Sequence, residues 1–255
     1  MEALRLDRIY KNFSGLQVLR DLSLSVEAGD CVAVVGPNGA GKTTLFNIIT
    51  GELSASAGHI YVFGQEITTM PTHRRVHLGL GRSFQITHLF PFLTIMDNVV
   101  LALHGVKPSR YQMFRPYTAY DELMVKTQKM LESIDLWEKR DAPIQALSYG
   151  QQRQLEILLS LASEPKLLLL DEPTSGLSLA EVPPFISTIK TLASGTTVLL
   201  ASHDMDVVFG LANRVVVLYF GRVMADGTPE KIQADPEVRE LYLGIKEDRA
   251  NAEVS

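Results

Sequence analysis

Gly36-Pro37-Asn38-Gly39-Ala40-Gly41-Lys42-Thr43 is the stretch on which the fold turns. It matches the pattern G-x-x-x-x-G-K-[ST], and its flanks are those the pattern requires. Cys31-Val32-Ala33-Val34-Val35 before it reads as a buried strand. Lys42 to Thr50 after it reads as a helix closed by Gly51. Glycines let backbone N–H groups close around phosphate oxygens, and the helix points its positive end at the same anion. Gly36, Pro37, Asn38, Gly39, Ala40 and Gly41 therefore form a phosphate cradle. Lys42 reaches the outer phosphates, the Thr43 hydroxyl completes a Mg²⁺ shell, and Thr44 follows in the first helical turn.

Outward from the cradle the chain alternates in type. Residues 1–30 break into short alternating runs such as Leu22-Ser23-Leu24-Ser25-Val26, which suggests an antiparallel sheet. Ile60-Tyr61-Val62-Phe63 reads as another short strand. From about 87 to 164 strand-like runs become scarce, and Ala119 to Ser133 has helical spacing of apolar residues. Lys107 to Tyr117, with two prolines, reads as a loop or short helix. Strands return at Lys166–Leu170, Thr196–Ala201 and Arg214–Leu218, with a helix beginning near Pro183-Pro184 between the first two. Such alternation implies an α/β fold with a mostly parallel core sheet. The expected division is a single domain over 1–255. Residues 1–86 and 165–246 build the nucleotide core with its antiparallel sub-domain, 87–164 a helical sub-domain, and 247–255 a frayed polar tail.

Composition narrows the function classes. The 255 residues carry 24 Lys plus Arg against 29 Asp plus Glu, a net charge of −5, which argues against bulk electrostatic binding to nucleic acid. Cys31, the single cysteine, excludes an internal disulfide and reads as a buried core residue. The first residues lack an apolar core, and the longest strongly apolar run is Leu167 to Leu170, far below the roughly 20 residues needed to cross a bilayer. The expected location is cytoplasmic, and any service to a membrane comes from outside the lipid.

Leu167-Leu168-Leu169-Leu170-Asp171-Glu172 ends a buried strand in two carboxylates. Asp171 suits a metal ion, and Glu172 suits an attacking water that needs polarising. Leu147-Ser148-Tyr149-Gly150-Gln151-Gln152 precedes that pair. Ser148 as N-cap with Gln151 three residues on makes a capping box opening a helix from Gln152 to Ala162, a second ready-made anion site.

Taken together these stretches resemble the ABC ATPases, over about residues 4 to 245. The resemblance implies ATP and Mg²⁺ as ligands. It also implies a head-to-tail dimer in which Ser148, Tyr149, Gly150 and Gln151 of one subunit close over ATP held by the other. Tyr10 resembles the aromatic that stacks on adenine, with Val18 beside it. Gln85 resembles the glutamine that touches Mg²⁺ and water, so Thr43, Gln85 and Asp171 form the expected metal set. Glu172 is the expected general base, with Gln85 as a catalytic partner and with His203 holding the geometry. Pro173-Thr174-Ser175-Gly176-Leu177-Ser178 stands where the family has a loop that talks across the dimer, but many relatives carry aspartate where this chain has Ser178.

The absence of coiled-coil insertions favours the ATPase subunit of a transporter, paired with a second ATPase subunit and with integral membrane permease subunits on the inner face of the membrane. Tyr149, the run Gly79 to Thr94, and Leu241-Tyr242-Leu243-Gly244 resemble the ATPases of branched-chain amino acid importers. Urea or amide importers, a lipopolysaccharide exporter, an ATP-driven clamp on a soluble partner and a small-molecule kinase remain alternatives. Ile86 to Asn98, with Leu89, Phe90, Phe92 and Leu93, is the expected docking surface for a membrane subunit.

Overall fold

The computed structural model describes residues 1–83, 89–105 and 121–243. Two long strands open the chain, β1 (Glu2–Phe13) and β2 (Leu16–Glu27). They pair antiparallel, and with β4 (Ala57–Val62) and β5 (Gln65–Glu66) they make a four-stranded sheet in the order β2-β1-β4-β5. The register between β1 and β2 shifts at several points, with Arg8 and Asp21 at positive φ. Such bulges bend and twist the pair.

The second sheet has six strands in the order β10-β9-β3-β8-β7-β6. Its members are β3 (Cys31–Val35), β6 (Leu80–Ser83), β7 (Leu167–Asp171), β8 (Thr197–Ala201), β9 (Arg214–Tyr219) and β10 (Arg222–Gly227). All neighbouring pairs are parallel except β9 with β10. The strands β7 and β8 are buried at every position, as parallel strands covered on both faces must be. Two of these strands, β6 and β10, lie where the sequence predicts none.

The helix α1 (Lys42–Thr50) packs against the face shared by the two sheets, with Phe46, Ile48 and Ile49 fully buried. It stops at Gly51 in the left-handed region. Its exposed carbonyls are closed by Arg75 of α2 (Thr72–His77), which donates to Ile48 O and Ile49 O at 2.8 and 2.7 Å. The opposite face of the six-stranded sheet is covered by α6 (Val182–Leu192) and α7 (Met205–Leu211), through Phe185, Ile189, Val207 and Val208. A third apolar cluster joins α3 (Ile95–Gly105), α4 (Asp121–Glu132) and α5 (Tyr149–Ser160) around Val99, Leu131 and Leu155. Two short helices, α8 (Pro229–Ala234) and α9 (Pro236–Leu243), follow the last strand.

The helix α5 begins at Tyr149, three residues before the predicted start, because the residues after the Ser148 cap already form its first turn. Cys31 is half-buried rather than enclosed, since it opens β3 at the sheet's end. The predicted loop at Lys107 to Tyr117 and the tail at 247–255 lie outside the described residues.

Candidate functional site

Each reacting group stands at the carboxyl end of a core strand. The β3 strand delivers the cradle, β7 delivers Asp171 and Glu172, and β8 delivers Ser202 and His203. This is the edge of a parallel sheet at which ligands collect.

In the cradle Gly36, Ala40 and Gly41 are buried while Asn38 and Gly39 face outward and Pro37 is half-buried. Gly41 stands at φ 107, and a Cβ there would lie 2.7 Å from Leu19 Cδ2 and 3.3 Å from Val18 O. Only glycine allows the cradle to press this closely on β2. On its other side, Gly221 N donates to Ala40 O at 3.1 Å, and Gly221 O accepts from Arg20 N at 2.9 Å. The β9–β10 turn thus staples the cradle to β2. The sequence reading assigns no role to Gly221, although a lone glycine after two aromatics is a visible turn signal.

The buried Lys42 donates from Nζ to Gly36 O at 2.7 Å and Pro37 O at 3.3 Å. Its ammonium is therefore held over the cradle by carbonyls that a phosphate would replace. Burial lowers the Lys42 pKa, while the charges of Glu172 and Asp171 oppose the shift. Those opposing charges bring the lysine and the two carboxylates into one electrostatic group. Thr43 is exposed and Thr44 half-buried at the mouth.

Asp171 is 1% exposed. Burial raises its pKa, and the Arg82 guanidinium, with Nη2 at 3.1 Å from Oδ2, works against the rise. Its Oδ1 is buried with no hydrogen-bond partner among the described residues. An orphaned carboxylate oxygen suits a hard cation such as Mg²⁺, and the exposed Thr43 hydroxyl is an oxygen donor of the same kind. Gln85, the third expected ligand, lies outside the described residues.

Glu172 takes a positive φ of 48°, a conformation disfavoured for a residue with a Cβ. Its N–H donates to Ala201 O at 2.9 Å, which anchors it across to β8. Its Oε2 accepts from His203 Nδ1 at 2.7 Å. His203 is held by the turn in which Asp204 N donates to Ser202 Oγ at 3.0 Å. The strained backbone and the imidazole together fix the carboxylate in place.

Tyr10 is half-buried on β1 at a register shift, and burial followed by Asp21 raises its pKa. The pairing of Lys11 with Leu19 sets Tyr10 and the half-buried Val18 on adjoining strands, one residue from that pair. Val18 O borders Gly41, so this edge leads into the cradle.

The capping box is formed in full. Gln151 N donates to Ser148 Oγ and Ser148 N to Gln151 Oε1, both at 3.2 Å. Ser148, Gly150 and Gln151 line a hollow with Leu177, Glu181 and Phe185, and no cradle residue takes part in it. Within one chain the start of α5 thus opens on a hollow that the cradle does not line.

A further cavity of ≈ 260 Å³ opens where α1, α2, β6, α3 and α5 meet, lined by Glu52, Val76, Leu80, Arg82, Ala102 and Leu159 among others. On the segment that leads into α3, Phe92 is 93% exposed and Phe90 53%. Leu89 and Leu93 are half-buried, with Leu89 packed on the helical cluster. Asn98, itself buried, fixes the segment by accepting from Phe90 N at 2.8 Å and donating to Phe90 O at 3.2 Å. Ile86 lies outside the described residues. Arg82, which lines this cavity and also bonds Asp171, has no role in the sequence reading.

Residues 19–175 match the family model described as ABC transporter, and residues 222–248 match the model described as branched-chain amino acid ATP-binding cassette transporter. The high-affinity branched-chain amino acid transport ATP-binding protein BraF of Pseudomonas aeruginosa is 37% identical over 239 residues, covering 91% of this chain and 94% of its own. LivG of Escherichia coli K12, of the same description, is 34% identical over 248 residues, covering 94% and 97%. A solved structure of the ADP conformation of an ATP-binding cassette from an ABC transporter superposes with a TM-score of 0.82 at 30% identity, covering 96% of this chain and 100% of that one.

Proposed function

The chain belongs to the ABC transporter ATP-binding family, as an ATP-hydrolysing subunit of a transporter complex, and from that premise we propose that it drives import of branched-chain amino acids. The match at 222–248 and the likeness to BraF and LivG support this cargo. The observation that carries the catalytic part is the Glu172–His203 contact of 2.7 Å beside Lys42 and Asp171.

The nucleotide core spans 1–86 and 165–246, and the helical part 87–164. ATP enters with adenine against Tyr10 and Val18 and with phosphates in the cradle from Gly36 to Thr44. Lys42 exchanges its carbonyl partners for phosphate oxygens. Thr43, Asp171 and Gln85 would hold Mg²⁺, which would neutralise phosphate charge when bound. Glu172 takes a proton from the attacking water, and the His203 N–H keeps its carboxylate aimed. Ser148, Tyr149, Gly150 and Gln151 close over the nucleotide of a second ATPase subunit, identical or a sister chain. The hollow at the start of α5 supports this, because no residue of the chain's own cradle lines it.

Closure moves permease helices seated against Phe90 and Phe92, and hydrolysis resets the dimer. Apolar side chains exposed to this degree on a segment fixed by Asn98 support a docking surface. Among the described residues no helix is long and apolar enough to cross a membrane, so the span is left to the partner.

The test is uptake of labelled leucine, alongside urea and acetamide, in cells whose only copy carries Glu172→Gln. Selective loss of leucine uptake supports the reading. Unchanged leucine uptake sinks the cargo and turns attention to the other two solutes, export, or a soluble clamp.

A further inference from the structure

The first turn of α5 holds the middle of the loop from Pro173 to Ser178. There the Tyr149 hydroxyl donates to Ser175 O at 3.0 Å. Its ring lies on Gly176, where a Cβ would come within 2.8 Å of Tyr149 Cε1, and Gly176 stands at φ 85. The same hydroxyl accepts from Arg153 Nε at 3.1 Å, and the guanidinium sits 5.4 Å from the ring centroid. Arg153 is 3% exposed and in turn donates to Glu156 Oε2 at 2.8 Å, so the tyrosine is braced from behind.

Beyond the loop, Glu181 packs on the same turn, where a Cβ on Gly150 would lie 2.8 Å from Glu181 Oε1. Glu181 Oε2 accepts from Ser178 N at 2.9 Å and from Ser178 Oγ at 2.7 Å. Ser178 therefore closes a turn inside its own subunit, and its hydroxyl is committed there. A side chain used this way does not reach across to a partner.

We propose that Tyr149, whose backbone belongs to the turn that closes over the partner's nucleotide, acts through its side chain as a positioning residue that locks the Pro173–Ser178 loop to the start of α5, so that the loop and the Ser148–Gln151 turn meet the partner subunit as one rigid surface. The task that Ser178 does not perform across the dimer is met by fixing the loop from within. The inference rests on the dimer reading above. Removing the hydroxyl alone frees Ser175 O and uncouples the loop while the ring stays on Gly176.

The experiment compares Tyr149, Tyr149→Phe and Tyr149→Ala, each in the Glu172→Gln chain. It reads amide hydrogen exchange over residues 173–178 in the nucleotide-free monomer, monomer affinity for a fluorescent ATP analogue, and the ATP-dependent dimer constant by sedimentation. Loss of one hydrogen bond is expected to speed loop exchange about tenfold in Tyr149→Phe. The dimer is expected to weaken several-fold with monomer nucleotide affinity unchanged, and Tyr149→Ala to be worse in both. Loop exchange unchanged in both variants overturns the lock. Faster exchange with an unchanged dimer constant overturns the positioning role. Should the chain with Tyr149 intact fail to dimerise with ATP, the dimer reading fails, and the exchange measurement still decides whether the lock exists.

Discussion

Replacing Arg82 with methionine removes the guanidinium that faces Asp171 inside the protein. The Arg82 side chain is 8% exposed and that of Asp171 1%, and their closest approach is 3.1 Å. Two further partners of Arg82, Glu52 and Thr50, lose little. Glu52 is 37% exposed and can be solvated, and Thr50 keeps its bonds to Phe46 O and Asn47 O. Among these partners the cost falls on Asp171, left as a buried charge whose Oδ1 has no partner among the described residues. Breaking a buried pair from one side costs about 3–5 kcal/mol. With a urea slope of about 3 kcal/mol/M for a chain of this size, the midpoint is expected to fall by roughly 1–2 M. Burial raises the Asp171 pKa and Arg82 restrains the rise, so the variant raises it further. A carboxyl whose folded pKa lies above its unfolded value holds a proton in the native state that the unfolded state has lost. Stability then falls as pH rises between the two values. The deficit is thus expected to be larger near about pH 7.5 than near about pH 5. Adding Asp171→Asn removes the stranded charge and should recover at least half of the loss. A loss under about 1 kcal/mol, or a cycle in which the two substitutions simply add, refutes the reasoning.

Arg75→Met strips hydrogen bonds from four carbonyls, those of Ile48, Ile49, Met70 and Thr68, around the end of α1. It should cost about 2–4 kcal/mol in urea unfolding, and a change within experimental error would contradict the cap. Burial pushes the Cys31 thiol up to about 11. Labelling with maleimide near about pH 8 should then be about 100-fold slower in the native protein than in the unfolded chain, and should rise with pH as the thiolate forms. Equal rates would show an accessible, ordinary thiol. Ser148→Arg should leave monomer binding of ATP intact and abolish hydrolysis, measured by phosphate release. Normal turnover in that variant removes the cross-dimer closure.

The elements around the cradle were legible because local chemistry states them. Cys31–Val35 and Lys42–Thr50 appear with the bounds read from the sequence, since a β-rich run, a glycine loop and a terminal glycine each leave a local mark. The Ser148–Gln151 box is likewise a local device, and it forms as read. What escaped notice is defined by tertiary neighbours. The strand Leu80–Ser83 contains glycine and arginine and shows no alternation, and it is a strand because β7 pairs with it. Arg222–Gly227 is an edge strand with polar positions, held by β9. The opening strands run longer than their alternation suggests, because the bulges at Arg8 and Asp21 reset which face is buried. Arg82 and Tyr149 act through contacts 89 and 26 residues away along the chain, and no spacing in the sequence announces them.

Turnover and trapping by the Glu172→Gln chain test the catalytic account most directly. Phosphate release should fall by at least about 100-fold relative to the unsubstituted chain, as expected when a positioned base is lost. ATP should meanwhile be retained, with a dimer in sedimentation that disperses when nucleotide is removed. Rapid hydrolysis by this variant would contradict the assignment of Glu172 as the base, whatever the cargo proves to be.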